Sequence, residues 1–339
     1  MPIPFTLGDA ADLTDVAIQQ IWIKSADMAN VVPTYYDKYM NVEAGVTDRL
    51  LRDSSITGLG EATRITEQAV ITGEAPVQGY DKLYTQVEFG KLMSVTKQMW
   101  RFGIKKRDLT GIVQELRNLC LRHKERLCGD RLDNDRSTSY TQSEDSGNFS
   151  NATLAGGDAV AMISTAHTRE DGGTNWNNEV TDGTTVNMDF DYDAIKAAHR
   201  TAALIRDGKG NLMNVSLDTL IVRKGFTNYF RAMEILGAIR TGGARTLPGT
   251  GDNDAAGTPA FKILPLPWIT TNTAYWWMFD SSMKGPKFGL QLKESQPIQL
   301  EGPNVVFKTG EIQYKATEMY DLGFNDSRNF VGSKNTNAA

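Results

Sequence analysis

One helical pattern, between Asp108 and Leu132, limits the folds open to this chain more than any other feature of its sequence. Asp108 is predicted to cap the helix. Residues suited to one buried face then recur every three or four positions: Leu109, Ile112, Val113, Leu116, Leu119, Cys120, His123 and Leu127. About 24 residues at 1.5 Å each would span roughly 36 Å, whereas helices of globular proteins average about 11 to 12 residues. The sequence therefore predicts one long structural helix around which the remaining chain is arranged.

Both cysteines of the chain, Cys120 and Cys128, lie on this predicted helix. Their spacing places them about 12 Å apart along the axis, too far for a disulfide while the helix is intact. We therefore expect reduced thiols, as in an intracellular protein. The first residues show neither the basic segment nor the apolar core of a signal peptide. No run approaches the roughly 18 to 20 apolar residues of a membrane span, so folding in a cytoplasm without a membrane partner is expected.

The segment from 58 to 98 has the pattern of a long β-hairpin. Ala62 to Ile71 is rich in threonine and β-branched residues and is predicted to form the ascending strand. Gly73 to Gly79 carries the glycines and the proline of a turn. From Leu83 to Gly90, apolar and polar residues alternate with a period of two. Because such a hairpin is marginal alone in water, it must lean on its own body or on a neighbouring subunit.

Polar and ordered stretches alternate after the long helix. Residues 133–190 are dominated by Asn, Asp, Ser, Thr and Gly, which predicts surface loops or an exposed β-rich excursion around one short helix from Asp158 to Ile163. Order returns with a helix capped by Asp193, a buried strand from Leu217 to Val222 and a further helix over 226–236. The strands that follow are predicted at 260–264, 274–279, 288–292, 304–308 and 311–320. This mixture predicts an α+β fold.

Motifs for common catalytic and metal-dependent chemistry are missing from the sequence. It has no GxxxxGK[ST] phosphate loop, no GxSxG nucleophile elbow, no HExxH and no CxxC. The histidines, His123, His167 and His199, lie far apart, each in a predicted helical context. The acidic run 189–193 lacks the glycine and the glutamate that a calcium loop needs. We therefore expect no enzymatic activity, no cofactor and no metal.

A basic run, Lys105, Lys106 and Arg107, leads into the long helix of a chain whose net charge is −5. A mildly acidic chain is not expected to coat nucleic acid. The run could face a polyanion, pair with the acidic surface of a neighbouring subunit, or form a solvated helix face. The sequence leaves these three readings open.

The order of an N-terminal arm, a long hairpin and an unusually long helix resembles the tailed-bacteriophage major capsid proteins of the HK97 fold. Residues 84–98 resemble the strand that leads to the spine helix of that family, 211–222 and 265–280 resemble strands of its A-domain, and 321–328 resemble its closing turn. The resemblance implies the following division: an arm over 1–57, an extended hairpin (E-loop) over 58–98, a P-domain with the spine helix (108–132) and a polar insertion over 99–190, an A-domain over 191–290, and a return to the P-domain with the C-terminal tail over 291–339.

By the same resemblance, the chain would be a structural protein that self-assembles through hexamers and pentamers into an icosahedral shell around double-stranded DNA. It would reside in the virion after assembly in the host cytoplasm, meet packaged DNA non-specifically, and bind scaffolding, portal and decoration proteins where these are used. Five charged residues of the hairpin are expected to contact a neighbouring subunit: Arg64, Glu67, Glu74, Glu88 and Lys91.

Two alternatives stay open from the sequence. An encapsulin-like protein compartment shares the fold, and genome context or the particle contents would separate it from a phage head. A soluble ligand-binding protein or enzyme of mixed α and β structure belongs to a different class. Its support is the aromatic cluster Tyr275–Trp276–Trp277, which could line a pocket but is explained more simply as a core strand.

Overall fold

The computed structural model describes residues 18–20, 22–23, 33–62, 64–65, 73–76, 78–96, 106–141, 150–240 and 261–334. Within them, the helices are α1 Tyr36–Tyr39, α2 Lys106–Asp133, α3 Tyr192–Ala203 and α4 Thr227–Arg240. The strands are β1 Asn41–Ala44, β2 Leu50–Ile56, β3 Gln78–Thr85, β4 Val87–Val95, β5 Ser139–Thr141, β6 Ser150–Thr153, β7 Thr219–Arg223, β8 Lys262–Leu266, β9 Trp276–Phe279, β10 Leu290–Val306, β11 Glu311–Phe324 and β12 Phe330–Ser333. The strand pairs of the two four-stranded sheets described below are mainly antiparallel, as in an α+β fold.

The long helix is confirmed as α2, which covers 28 residues. Asp108 is not its N-cap as predicted, because the helix already includes Lys106 and Asp108 therefore lies inside its first turn. The predicted buried face is present at Val113, Leu116 and Cys120. Both cysteines are free and buried, as expected for thiols on one helix. The helix packs against β4 and β11, so it supports one sheet along its length.

That sheet has the strand order β1-β10-β11-β4. β10 and β11 form an antiparallel pair joined by a turn at 307–310, which confirms the meander predicted at the end of the chain. β4 pairs antiparallel with β11, from Val87 opposite Tyr320 to Val95 opposite Ile312. The single returning strand expected around 83–90 is divided in the structure between β3 and β4, and β4 belongs to the sheet rather than to a free hairpin.

The partner of β3 differs from the prediction. β2, Leu50–Ile56, pairs antiparallel with β3, and no strand is found at the described residues of the predicted ascending segment 62–71. Burial alternates along β2: every second residue is half-buried, as in a strand with one packed face. This favours β2 over 62–71 as the partner of β3. We call the β2–β3 pair the ribbon. The division of the chain into arm, E-loop, P-domain and A-domain stays a prediction.

A second sheet, with the strand order β12-β9-β7-β8, lies under α3 and α4. Trp276 and Trp277 of β9 are fully buried in it, and the indole N–H of Trp277 donates to Asp135 at 2.6 Å. This confirms the core reading of the aromatic cluster. Helix α3 is capped by Asp191, which accepts from the Ala194 N–H at 2.7 Å, and not by Asp193 as predicted.

Residues 154–190 are only in part the exposed loops that their polar composition predicted: 171–175 and 182–186 are exposed, whereas most of the other positions are buried or half-buried. Trp176, Val180 and Phe190 belong to the core under α3, and Asn178 is fully buried. The Asn178 amide donates to the Met162 carbonyl at 2.8 Å and accepts from the Ser164 N–H at 2.9 Å. Buried polar groups are tolerated when their hydrogen bonds are satisfied. These two hydrogen bonds therefore allow the Asn178 side chain to be buried in the core. The helix predicted from Asp158 to Ile163 is a series of turns and bends instead.

Candidate functional site

The ribbon presents apolar side chains to solvent on one face. Leu50 and Ile56 of β2 and Leu83 of β3 are each more than half exposed. They share this face because alternate residues of paired strands point the same way. At its centre, Arg52 lies opposite Leu83 and forms an ion pair with Asp81 on the same face. Exposed apolar residues around a paired charge are typical of a protein contact surface.

The opposite face of the ribbon is fixed to the body by a buried polar cluster. The Tyr80 hydroxyl donates to the Thr168 carbonyl and accepts from Trp176 Nε1 at 3.2 Å. Arg328, only 2% exposed, lies over the Tyr80 ring and forms ion pairs with Glu170 at 2.7 Å and with Asp326 at 2.6 Å. Because each of these charges has a partner, the cluster anchors β3 rigidly.

Lys82 adds a second anchor on the same face. Its ammonium donates to the Ala155 carbonyl at 2.5 Å. Burial, with a further contribution from Arg131, lowers the pKa of Lys82 to about 8. The ribbon thus has one face fixed to its own chain and one face open to solvent.

The predicted contact residues do not form one cluster. Glu74 pairs with Lys209 of its own chain at 2.6 Å, and Glu88 pairs with Lys315 at 2.6 Å. Arg64 is exposed in the connection between β2 and β3, Lys91 is exposed on β4, and Glu67 lies outside the described residues. Contacts of these residues with a neighbouring subunit stay a prediction, although Glu74 and Glu88 already have partners.

The basic run is described only in part. Lys105 lies outside the described residues, while Lys106 and Arg107 form the start of α2. A basic groove further along α2 was not predicted from the sequence. It has a volume of about 680 Å³ and lies between α2 and β4, where Lys91, Arg122 and Arg126 line it with Trp268. The spacing of Arg122 and Arg126 by four residues was the available signal, since it places both on one side of a helix.

A buried charge cluster joins α2 to the sheet. The Lys124 ammonium lies 2.7 Å from Glu294 of β10 and 2.9 Å from Glu318 of β11. Burial disfavours the charged ammonium, but the Glu318 and Glu294 carboxylates outweigh it, so the pKa of Lys124 is raised. Burial raises the pKa of Glu318 even though Lys124 lowers it. The long helix is therefore held to two strands by one ion-pair cluster.

The next residue, Glu125, holds the segment that contains α1. Its carboxylate accepts from the backbone N–H groups of Tyr35 and Tyr36, the latter at 3.3 Å. Burial raises the pKa of Glu125 to about 7, and these two backbone hydrogen bonds act in the opposite direction. Protonation of Glu125 near neutral pH would weaken both hydrogen bonds, because a neutral carboxyl is a poorer acceptor.

Two more exposed apolar surfaces were missed by sequence reasoning. Phe307, in the turn between β10 and β11, is 99% exposed, and Val305 beside it is also exposed. Phe226, Phe230 and Met233 are exposed on and beside α4. Their spacing of three to four residues was the available signal, although it was interpreted only as a helix. Together with the ribbon, they are three separate exposed apolar surfaces within the described part of the chain.

Reactive groups in the interior have structural partners. His167 is not helical as predicted: it is buried in a bridge with Trp176, and its ring nitrogens lie 2.7 Å from Asp158 and 3.1 Å from Asn178. His123 and His199 do lie in helices. Among the described residues, no group of three or more histidine, cysteine or acidic side chains is placed to hold a metal ion. None of the described helices combines the length and the apolar character that crossing a membrane needs.

Comparison with known proteins relates the chain to viral shells. A family model described as phage capsid protein matches residues 79–332. The capsid structure of cyanophage P-SCSP1u is similar at 11% identity, over 92% of this chain and 92% of that chain, with a TM-score of 0.51. The capsid of a native GTA particle is similar at 10% identity, over 91% and 92%, with a TM-score of 0.50. A virus-like particle from Pyrococcus furiosus aligns at 10% identity, over 94% and 98%, with a TM-score of 0.46. No curated protein matches the sequence.

Proposed function

This chain belongs to the phage capsid protein family and has an HK97-like α+β fold, and we propose that it assembles through hexamers and pentamers into an icosahedral shell enclosing the double-stranded DNA of a tailed phage. The observation that carries the proposal is the family match over 79–332. These residues include α2, nearly all of β3, and the strands of both sheets except β1 and the last residue of β12, whereas β2 lies outside the match. The role of the chain as a capsid shell protein places it in the virion.

The exposed surfaces of the subunit support assembly. A stable interface buries on the order of 1,600 Å², and a shell subunit needs several of them. The ribbon, the β10–β11 turn and α4 offer apolar side chains on three different elements. Contacts between different surfaces of identical subunits close into rings when they repeat around a rotation axis. That geometry is what hexamers and pentamers require.

The remaining parts of the proposal concern partners and place. A net charge of −5 favours a shell that holds its DNA non-specifically and weakly. Scaffolding, portal and decoration proteins are proposed as further partners, assembly is proposed to occur in the host cytoplasm, and the protein is proposed to have no enzymatic activity.

Particle size is the test. The purified protein is expected to give closed shells, or hexamer and pentamer rings, by gel filtration and negative-stain microscopy. A protein that stays monomeric at every concentration and binds a small molecule would overturn the proposal. Shells from the native source that contain a protein cargo and no DNA would instead support the encapsulin-like alternative.

Charge reversal tests the role of the hairpin residues. Reversing Arg64, Glu67, Glu74, Glu88 and Lys91 together is expected to block assembly while circular dichroism shows a folded subunit. Exchange of Asp193 and Lys196, an exposed ion pair on α3 at 3.6 Å, is the matched control and is expected to leave assembly intact. Normal particles from the variant with all five substitutions would refute the role of these residues in contacts between subunits.

A further inference from the structure

A polar cavity of about 440 Å³ lies beside the last turn of α3. Thr201 and Leu204 line it from the end of that helix, Arg206 from the residues that follow, and Arg169 and Trp176 from the polar segment between β6 and α3. Small-molecule sites occupy about 300 to 1,000 Å³. The cavity is therefore large enough to hold a small ligand, and a single chain forms it.

Two guanidinium groups of this lining meet at Gly210. Arg206 Nη1 donates to the Gly210 carbonyl at 2.7 Å. A Cβ at Gly210, whose φ is +91°, would lie 2.5 Å from Arg169 Nη2, so the Arg169 guanidinium rests directly on this glycine. A Cβ at Gly173 would likewise lie 2.6 Å from Arg169 Cζ. Arg169 is therefore held between two glycines, and Arg206 is bonded to one of them.

The positive charge of the lining is neutralised only in part. Asp171 accepts from Arg169 Nη2, whereas Arg206 has no carboxylate partner within the described part of the chain. No acidic side chain is among the described residues that line the cavity. The negative end of the α3 dipole opposes an anion only weakly, because it amounts to a partial charge beside two full ones. The cavity therefore favours a negatively charged ligand.

Polar groups of the lining are left without hydrogen-bond partners. Thr201 is 4% exposed, and its Oγ1 makes no hydrogen bond to the described residues. Arg169 Nε is likewise buried without a partner in that part of the chain. The Asn177 side-chain oxygen accepts from the Glu179 N–H at 2.6 Å, which leaves the NH2 of this amide as a donor. Because an unsatisfied buried polar group costs free energy, a ligand that brings acceptor oxygens would stabilise this region.

We propose that this cavity binds the phosphate group of a small molecule, either a phosphomonoester or free phosphate. A phosphomonoester carries three strong acceptor oxygens, enough for Arg169, Arg206 and the Thr201 hydroxyl, whereas a carboxylate carries two. The guanidinium fork matches the geometry of phosphate. Duplex DNA is bound by cations spread along its backbone, and a concave cavity with two arginines does not offer such a row. The site requires no second subunit, so the inference does not depend on the proposed function.

Ligand binding to the unassembled full-length subunit tests the site. Adenosine monophosphate is the probe phosphomonoester, and it is titrated by calorimetry in phosphate-free buffer at constant ionic strength. In thermal unfolding, adenosine monophosphate and inorganic phosphate are expected to raise the melting temperature, whereas adenosine and acetate are not. A larger shift with adenosine monophosphate than with phosphate would identify an ester as the ligand, and equal shifts would identify free phosphate.

Variants of the lining separate binding from folding. Arg206→Gln is expected to weaken the binding of adenosine monophosphate by about tenfold or more, because a charged hydrogen-bond donor is lost. Thr201→Val removes a hydroxyl that makes no hydrogen bond to the described residues, so the melting temperature without ligand should be kept. Its binding should be about two- to tenfold weaker. Arg200→Gln is the matched control, because it removes the same charge from an exposed position of α3 outside the cavity, and its binding should equal that of the parent.

Three results would overturn the inference. The first is a parent whose melting temperature responds to neither adenosine monophosphate nor phosphate. The second is a shift with adenosine or acetate as large as that with the phosphate ligands. The third is unchanged binding in both Arg206→Gln and Thr201→Val. Each would leave the proposed assembly into shells untouched, because that proposal is tested by particle size.

Discussion

Removal of the Lys124 ammonium should destabilise the subunit strongly. Lys124 is 2% exposed and Glu318 is fully buried, so the Lys124→Met variant leaves two carboxylates without their cation in the interior. Removing one partner from a buried ion pair costs about 3 to 5 kcal/mol. That is a large part of the roughly 5 to 15 kcal/mol that stabilises a typical domain.

The assay is urea unfolding of the unassembled subunit at pH 7.5, followed by circular dichroism. Lys315→Met is the matched control, because the Lys315–Glu88 pair joins two strands of the same sheet but has side chains that are 42% and 49% exposed. An exposed pair contributes about 0 to 1 kcal/mol. If Lys124→Met lowers the free energy of unfolding by no more than Lys315→Met does, the reasoning about the buried cluster is wrong.

The pH dependence of Lys124→Met provides an internal check. The pKa of Glu318 is already raised by burial, and it should rise further once Lys124 no longer lowers it. A carboxyl with a raised pKa binds more protons in the folded state, so the free energy of unfolding falls as the pH rises. The difference in free energy of unfolding between the parent and Lys124→Met should therefore become smaller as the pH falls. A triple variant with Glu294→Gln and Glu318→Gln added should recover much of the loss.

Three further predictions concern α2. Leu116→Ala should lower the free energy of unfolding by about 2 to 5 kcal/mol, because Leu116 is buried; an unchanged urea midpoint would contradict its place in the core. The pKa of Glu125 is raised from 4.5 to about 7, so ionisation of Glu125 should destabilise the fold as the pH rises through that window. Glu125→Gln should therefore flatten the dependence of the melting temperature on pH. Melting temperatures of parent and variant that change in parallel with pH would refute this. Gly111→Ala should raise the free energy of unfolding by about 0.5 to 1 kcal/mol, since its added Cβ meets nothing within 4 Å. Gly129→Ala should lower the free energy of unfolding, since its Cβ would lie 2.8 Å from the Trp268 backbone oxygen. Equal melting temperatures for the two alanine variants would contradict this packing.

The local sequence pattern was sufficient to predict a helix or strand wherever that element buries one face. The three- and four-residue spacing along α2 predicted that helix within two residues of its observed start, and period-two alternation predicted β3 and β4. The partner strand of β3 was predicted in the wrong place, because the threonine-rich composition of 62–71 resembles a strand. The residue types of β2 do not alternate between apolar and polar, although its burial does. Pairing is decided by what a strand meets across the ladder, and the residues of one strand do not record that.

Charged residues show where prediction from the sequence ends. Exposure of Lys91 and Arg64 could be expected from residue type, but the pairing of Glu74 with Lys209 joins positions 135 residues apart in the sequence. Lys124 and Glu125 resemble solvated helix charges in the sequence, yet both are buried. A long-range ion pair depends on the path of the whole chain, so no local spacing predicts it.

By itself, the sequence determined the long helix, the two free cysteines and the buried tryptophans of β9, since each depends on periodicity or composition within a short window. Only the tertiary structure decided which strands pair, that parts of the polar segment 154–190 are buried, that Lys124 is buried between two carboxylates, and that Glu74 pairs with Lys209. The physical reason is that burial and pairing are properties of surfaces brought together from distant parts of the chain, and their free energy exists only after the chain has folded.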